Sequence, residues 1–125
     1  MNEFLVIPRR LAIALMHAAQ NAGERGISGL VFGGPQPQQF VPCADDDGAR
    51  KVRIAANPGA VPWALFRFRH AEKAPAAADF ESGTFICHPE MLLLNASLET
   101  KGVLQLHAWR LREGAVVEQD MQIAD

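Results

Sequence analysis

Cysteine is scarce in this chain of 125 residues, which carries only Cys43 and Cys87. A disulfide-stapled secreted scaffold is thereby excluded, and two isolated thiols suit a reducing cytoplasm. Excess charge is missing as well. Twelve basic side chains face 14 acidic ones, for a formal charge of −2, so the chain lacks the basic face needed to displace counterions from a phosphate backbone. Nucleic acid is not expected as a partner. No apolar run approaches the roughly 18 residues of a membrane span, and Met1–Leu15 holds Glu3, Arg9 and Arg10, unlike a signal peptide. Membrane is not expected as a partner either, and the expected location is cytoplasmic.

What remains is an ordinary composition, 49% apolar and 21% charged, with a length that suits a single domain over residues 1–125. Phe4–Ile7 is a short apolar run. After it, Leu11, Ala14, Leu15, Ala18 and Ala22 recur at helical spacing, which predicts a helix over Pro8–Ala22, started by Pro8 and stopped by Gly23. Ile27–Phe32 reads as a strand closed by Gly33-Gly34-Pro35. Gln38–Cys43 and Arg50–Ala55 read as a hairpin around Asp45-Asp46-Asp47-Gly48. Those aspartates do not make an EF-hand calcium loop, because Ala56 stands where its closing Glu belongs.

Val61–Ala71, where Arg67, Arg69 and His70 interrupt the aromatics, reads as a short helix. Glu72–Asp79 reads as a surface connection and Gly83–Cys87 as a strand. Met91–Ala96, Gly102–Leu111 and Ala115–Ile123 form an antiparallel meander. Leu104, Leu106 and Ala108 mark one inward face, and Val117, Met121 and Ile123 another, with Glu118, Asp120 and Gln122 opposite. The order of elements predicts an α+β fold with a mostly antiparallel sheet.

Chemistry-bearing residues are dispersed. His17, His70, His88 and His107 show no metal-ligand spacing. Cys87 and His88 are sequence neighbours, but on an extended segment they would point to opposite faces. Gly33-Gly34 has no lysine or following helix to make a phosphate cradle.

Several strings, taken in order, resemble a known family. They are Ile7-Pro8 opening a helix, Ile13–His17 within it, Gly29-Leu30-Val31-Phe32-Gly33, His88-Pro89, and Leu106-His107-Ala108-Trp109-Arg110-Leu111. Together they resemble the bacterial JAB/MPN (JAMM) metalloproteases across nearly the whole chain. The resemblance implies a JAB/MPN-like (cytidine deaminase-like) α+β fold, a curved, mostly antiparallel sheet flanked by helices. It also implies descent from zinc hydrolases that cut isopeptide or peptide bonds after the tails of ubiquitin-like or sulfur-carrier proteins.

Such a site needs a Glu base, two histidines, a Ser and an Asp, because zinc with three protein ligands keeps a water acidified toward neutrality. Here the Glu position falls on Gly26, the first histidine on Ile86 and the second on His88, followed by Pro89. Glu24 misses the base position by two residues. Ser97, Glu99 and Asp79 are poor substitutes for the rest.

The resemblance therefore implies a degenerate centre at Gly26, Ser28, Ile86, His88 and Pro89, with no cofactor and no catalytic residue. The expected function is a non-catalytic interaction module that binds a ubiquitin-like or sulfur-carrier tail or pairs with another JAB domain, a homodimer included. Two alternatives stand beside it. One is a divergent zinc-dependent isopeptidase or peptidase built on His88 with Glu24, Glu90 or another histidine. The other is a small-ligand binder with an apolar pocket beside Ile86, His88 and Ser28.

Overall fold

Pro8, with φ −61° and ψ 141°, holds the chain extended and hands it directly to a helix at the next residue. The structure is a computed structural model that describes residues 5–33, 37–43, 47–68, 75–81, 83–88, 90–100 and 103–124. Strand β1 (Leu5–Pro8) leads into α1 (Arg9–Ala22), which Gly23 ends at φ 59°. The buried stripe of α1 is Leu11, Ala12, Leu15 and Ala19. It is rotated from the expected one, since Ala14 faces solvent. His17 lies on the exposed side, where its ring meets the Asn21 amide at 3.3 Å.

A 3₁₀ turn (Gly23–Arg25) precedes β2 (Ile27–Gly33) and β3 (Pro37–Pro42). The first arm of the expected Gln38–Cys43/Arg50–Ala55 hairpin is β3, which pairs with β2 instead, and the second arm does not form. Asp47–Ala55 is instead a helix, α2, with Arg50 and Ile54 turned inward one helical turn apart and Lys51, Val52 and Arg53 exposed. The period-two look of Val52 and Ile54 imitates a strand only over a few residues.

The expected helix at Val61–Ala71 is corrected too. Val61–Phe68 forms β4, a central strand buried on both faces, and such strands lose the alternation that would announce them. Residues 69–74 lie outside those described, so His70 and most of the expected connection are not placed. A second 3₁₀ turn (Ala77–Phe80) leads to α3 (Gly83–Cys87), where a strand was expected. Its burial runs in pairs, Thr84 and Phe85 inside, Ile86 and Cys87 outside, as one helical turn requires.

β5 (Leu92–Thr100), β6 (Val103–Arg112) and β7 (Ala115–Gln119) form the expected meander. The last expected strand breaks at Asp120. Its second half, β8 (Met121–Ala124), leaves the meander and pairs in parallel with β1. The main sheet runs β3-β2-β4-β5-β6-β7, antiparallel throughout except for the parallel β4 and β5. The fold is thus α+β with a mostly antiparallel sheet.

Two cores cover its faces. On one, α1 packs through Leu11 and Leu15 on Val31, Phe66, Leu94 and Ala108. On the other, Leu30, Phe32, Leu65 and Leu93 meet Phe80, Phe85, Met91 and Ile54. Among the described residues no helix is long and apolar enough to cross a membrane.

Candidate functional site

Residues directly opposite on neighbouring strands share a face, and the register sets Ser28 beside Arg67, Arg67 beside Asn95, and Asn95 beside His107. A polar row therefore crosses four strands on one face of the sheet. Ser28, Arg67 and Asn95 are buried, Asn95 fully. Polar groups at such depth persist only when they are bonded.

These are. The Ser28 hydroxyl donates to the Cys43 carbonyl at 3.2 Å, and the Trp109 indole Nε1 donates to Asn95 Oδ1 at 3.0 Å. Arg67 forks onto Asp79, with Nη1 3.2 Å from Oδ1 and Nη2 3.1 Å from Oδ2. The Arg67 side chain is 6% exposed and that of Asp79 28%. The Ala76 backbone N–H donates to Asp79 Oδ2 at 2.7 Å, which fixes the carboxylate at the head of the 3₁₀ turn. His107 Nδ1 lies 3.2 Å from Glu118 Oε2 at the outer end of the row.

The residues mapped from the family resemblance do not gather here. Gly26 sits just before β2 with φ 70°, and Ser28 follows it into the row. Ile86 is on α3, 70% exposed, and His88 follows the helix, its backbone N–H donating to the Thr84 carbonyl at 3.1 Å. Pro89 lies outside the described residues. His88 lines a cleft of about 470 Å³ with Val61, Pro62 and Arg110. Pro62 stands five residues before Arg67 on β4, so the Ser28 and His88 ends of the sheet are separated by about 16 Å of strand.

One pocket flanked by Ile86, His88 and Ser28 is therefore ruled out. Zinc does not fit these positions either. Gly26 and Ile86 offer no donor, His88 is remote from Ser28, and no three His, Cys, Asp or Glu residues converge among the described ones. Asp79 is committed to Arg67, and the side chains of Glu24, Ser97 and Glu99 are not among those described. The separation expected between Cys87 and His88 also fails, because Cys87 ends a helix and both residues line the same cleft.

Nothing in the sequence marks Arg67, Asp79 and Asn95 as a group. Their one local signal is an arginine and an asparagine set inside apolar runs, Trp63–Phe68 and Leu92–Ala96.

No protein-family model and no curated protein matches the sequence. Solved structures do match in fold. A solution structure of a protein from Desulfitobacterium hafniense aligns over 98% of this chain and 94% of its own, with a TM-score of 0.63 at 15% identity. One from Salinibacter ruber aligns over 98% and 92%, with a TM-score of 0.62 at 20% identity. At these identities the likeness shows a shared architecture over the whole chain.

Proposed function

We propose that the chain is a non-catalytic JAB/MPN-like domain of the cytoplasm that works as a protein-interaction module. The observation that carries this reading is the buried Arg67–Asp79 fork at the Ser28 end of the sheet. A carboxylate there is already neutralised by a guanidinium bonded to both its oxygens. In this reading an internal organic cation has replaced a metal, and the scaffold is kept for its surfaces.

The surface best suited to a partner is the outer edge of β7. Of the two edges of the main sheet, β3 begins and ends in proline, Pro37 and Pro42, which blunts it against a further strand. β7 carries no proline, pairs with β6 alone among the described residues, and exposes Val117 to 43%. An extended tail of a ubiquitin-like or sulfur-carrier protein, or β7 of a second JAB domain, would add there by main-chain hydrogen bonds.

The test pairs a zinc measurement with a binding measurement. Incubated with zinc and desalted, the wild-type chain is expected to retain no stoichiometric metal by elemental analysis and to leave a sulfur-carrier tail uncut. In the same preparation, sedimentation should detect self-association or a complex with the sulfur-carrier protein, and Val117→Lys should weaken it at least tenfold with the circular dichroism unchanged. One zinc per chain with cleavage of the tail overturns the non-catalytic reading. A chain that stays monomeric and free of the carrier overturns the module.

A further inference from the structure

Half-buried Arg110 differs from Arg67, the buried arginine of the sheet. Arg67 is forked onto a carboxylate, whereas Arg110 of β6, opposite Val117 of β7, has its Nε sealed from solvent with no hydrogen-bond partner among the described residues. No ion pair to Arg110 is found among the described residues. A sealed charged donor is expensive. Its partial desolvation also leaves the positive charge poorly screened, so an anion reaching the guanidinium is held more strongly than on open surface. The terminal Nη groups are not among the sealed atoms, and Arg110 lines the His88 cleft.

The other walls of that cleft narrow the chemistry. Trp63, Met91 and Leu92 give it apolar sides, Val61 stands 56% exposed at the same place, and Cys87, His88 and Glu90 supply the remaining polar groups. A guanidinium presents two parallel N–H groups that match a carboxylate or a phosphate. Glu90 decides between them, because a like charge in the same cleft penalises a dianion more than a monoanion. The apolar walls then favour a ligand whose charged group carries a hydrocarbon body.

We propose that this cleft binds a monocarboxylate with an apolar body, its two oxygens accepting from the Nη groups of Arg110 and its body lying against Trp63 and Leu92. Free amphiphilic acids and the C-terminus of a peptide with an apolar last residue share this chemistry. The site lies at the far end of the sheet from the Arg67–Asp79 fork and does not depend on the JAB/MPN reading.

The test is an NMR titration of the ¹⁵N-labelled chain, followed at the Trp63 indole and at the His88 and Leu92 amides. The probes are octanoate, the tripeptide acetyl-Ala-Ala-Leu with a free C-terminus, its C-terminal amide, and inorganic phosphate. Saturating shifts at these positions are expected with octanoate or the tripeptide acid at millimolar concentration, with neither the amide nor phosphate matching them. Octanoate alone points to a free acid, the tripeptide alone to a chain terminus, and both to the shared carboxylate.

Arg110→Gln should weaken binding at least tenfold, the size of a lost charge-assisted hydrogen bond, and Arg110→Lys should retain part of it. Glu90→Gln should tighten it by about threefold. The spectrum of Arg110→Gln should otherwise remain that of the wild type, because no partner among the described residues is lost; if that variant fails to fold, the acid–amide comparison and Arg110→Lys decide between binding by the guanidinium and its absence. Absence of shifts with every carboxylate, equal binding by the amide, tighter binding of phosphate, or unchanged affinity in Arg110→Gln overturns the proposal.

Discussion

Asp79→Ala is expected to destabilise the protein by about 3 kcal/mol, the lower end of the range for breaking a buried ion pair because Asp79 keeps some solvent contact. For a domain of this size that is a fall in melting temperature of about 12 °C. The cost comes from what is left behind. Arg67 stays beneath the sheet surface at 6% exposure without the carboxylate bonded to it, and removing one partner of a buried ion pair costs more than the pair contributed.

Two further variants separate the causes. Asp79→Asn keeps an oxygen for the Ala76 N–H but removes the charge, so it should fall between wild type and alanine. The double variant Arg67→Met with Asp79→Ala removes both charges and should recover most of the loss, because an apolar pair of similar bulk often replaces a buried ion pair without penalty. Thermal unfolding of these proteins, with Arg67→Met alone as the fourth corner of the cycle, checks this. Additive losses in the double variant would show that the two residues act separately and would remove the basis for treating Arg67 as an internal counter-ion.

Gly29→Ala should cost a comparable amount, about 3 kcal/mol, at the upper end of the usual overpacking range. A Cβ at Gly29 would lie 2.5 Å from the Val41 carbonyl oxygen and 2.8 Å from Pro42 Cα, both backbone atoms of β3, and 2.6 Å from Cε1 of Phe40. Backbone held by a ladder cannot step aside as a side-chain tip can. Phe40 is fixed as well, its ring edge-on to Phe66 with centroids 5.4 Å apart. The extra methyl must therefore push β3 away from β2. The expected signature is a lower urea midpoint with the slope unchanged, and a shift within experimental error would mean that β3 is held far more loosely than its register implies.

The glycine strings of the sequence are informative for this packing reason. Gly29 in Gly29-Leu30-Val31-Phe32-Gly33 marks a close approach of strands, and that strand is legible, as are α1 and the β5–β7 meander, because their patterns extend over several residues. The failures share a cause. β4 is buried on both faces and carries Arg67, so its strand period is hidden and its arginine looks like the polar side of a helix. Segments as short as α2 and α3 offer too few residues to tell a period of two from one of 3.6.

The site is less legible than the fold. Ser28, Arg67 and Asn95 become neighbours only through the pairing of strands far apart in the sequence. Ile86 and His88 stand out as a sequential motif, yet the crossover from β4 to β5 delivers them to the opposite end of the sheet from Gly26 and Ser28. Arg110 is only one letter of a closing string in the sequence, and its lack of a partner among the described residues emerges only in three dimensions.

The pairing of β1 with β8 joins Leu5 to Met121 and Pro8 to Ala124, two segments separated by nearly the full contour of the chain. Closing so large a loop is entropically costly, and a ladder of four residues on each side, with Ile7 the one fully buried side chain of β1, offsets it. This small ribbon is therefore the natural place for partial unfolding to begin. Its amides should exchange with deuterium together, as one cooperative unit, well before those of β4 and β5, so that loosening one end of the polypeptide releases the other.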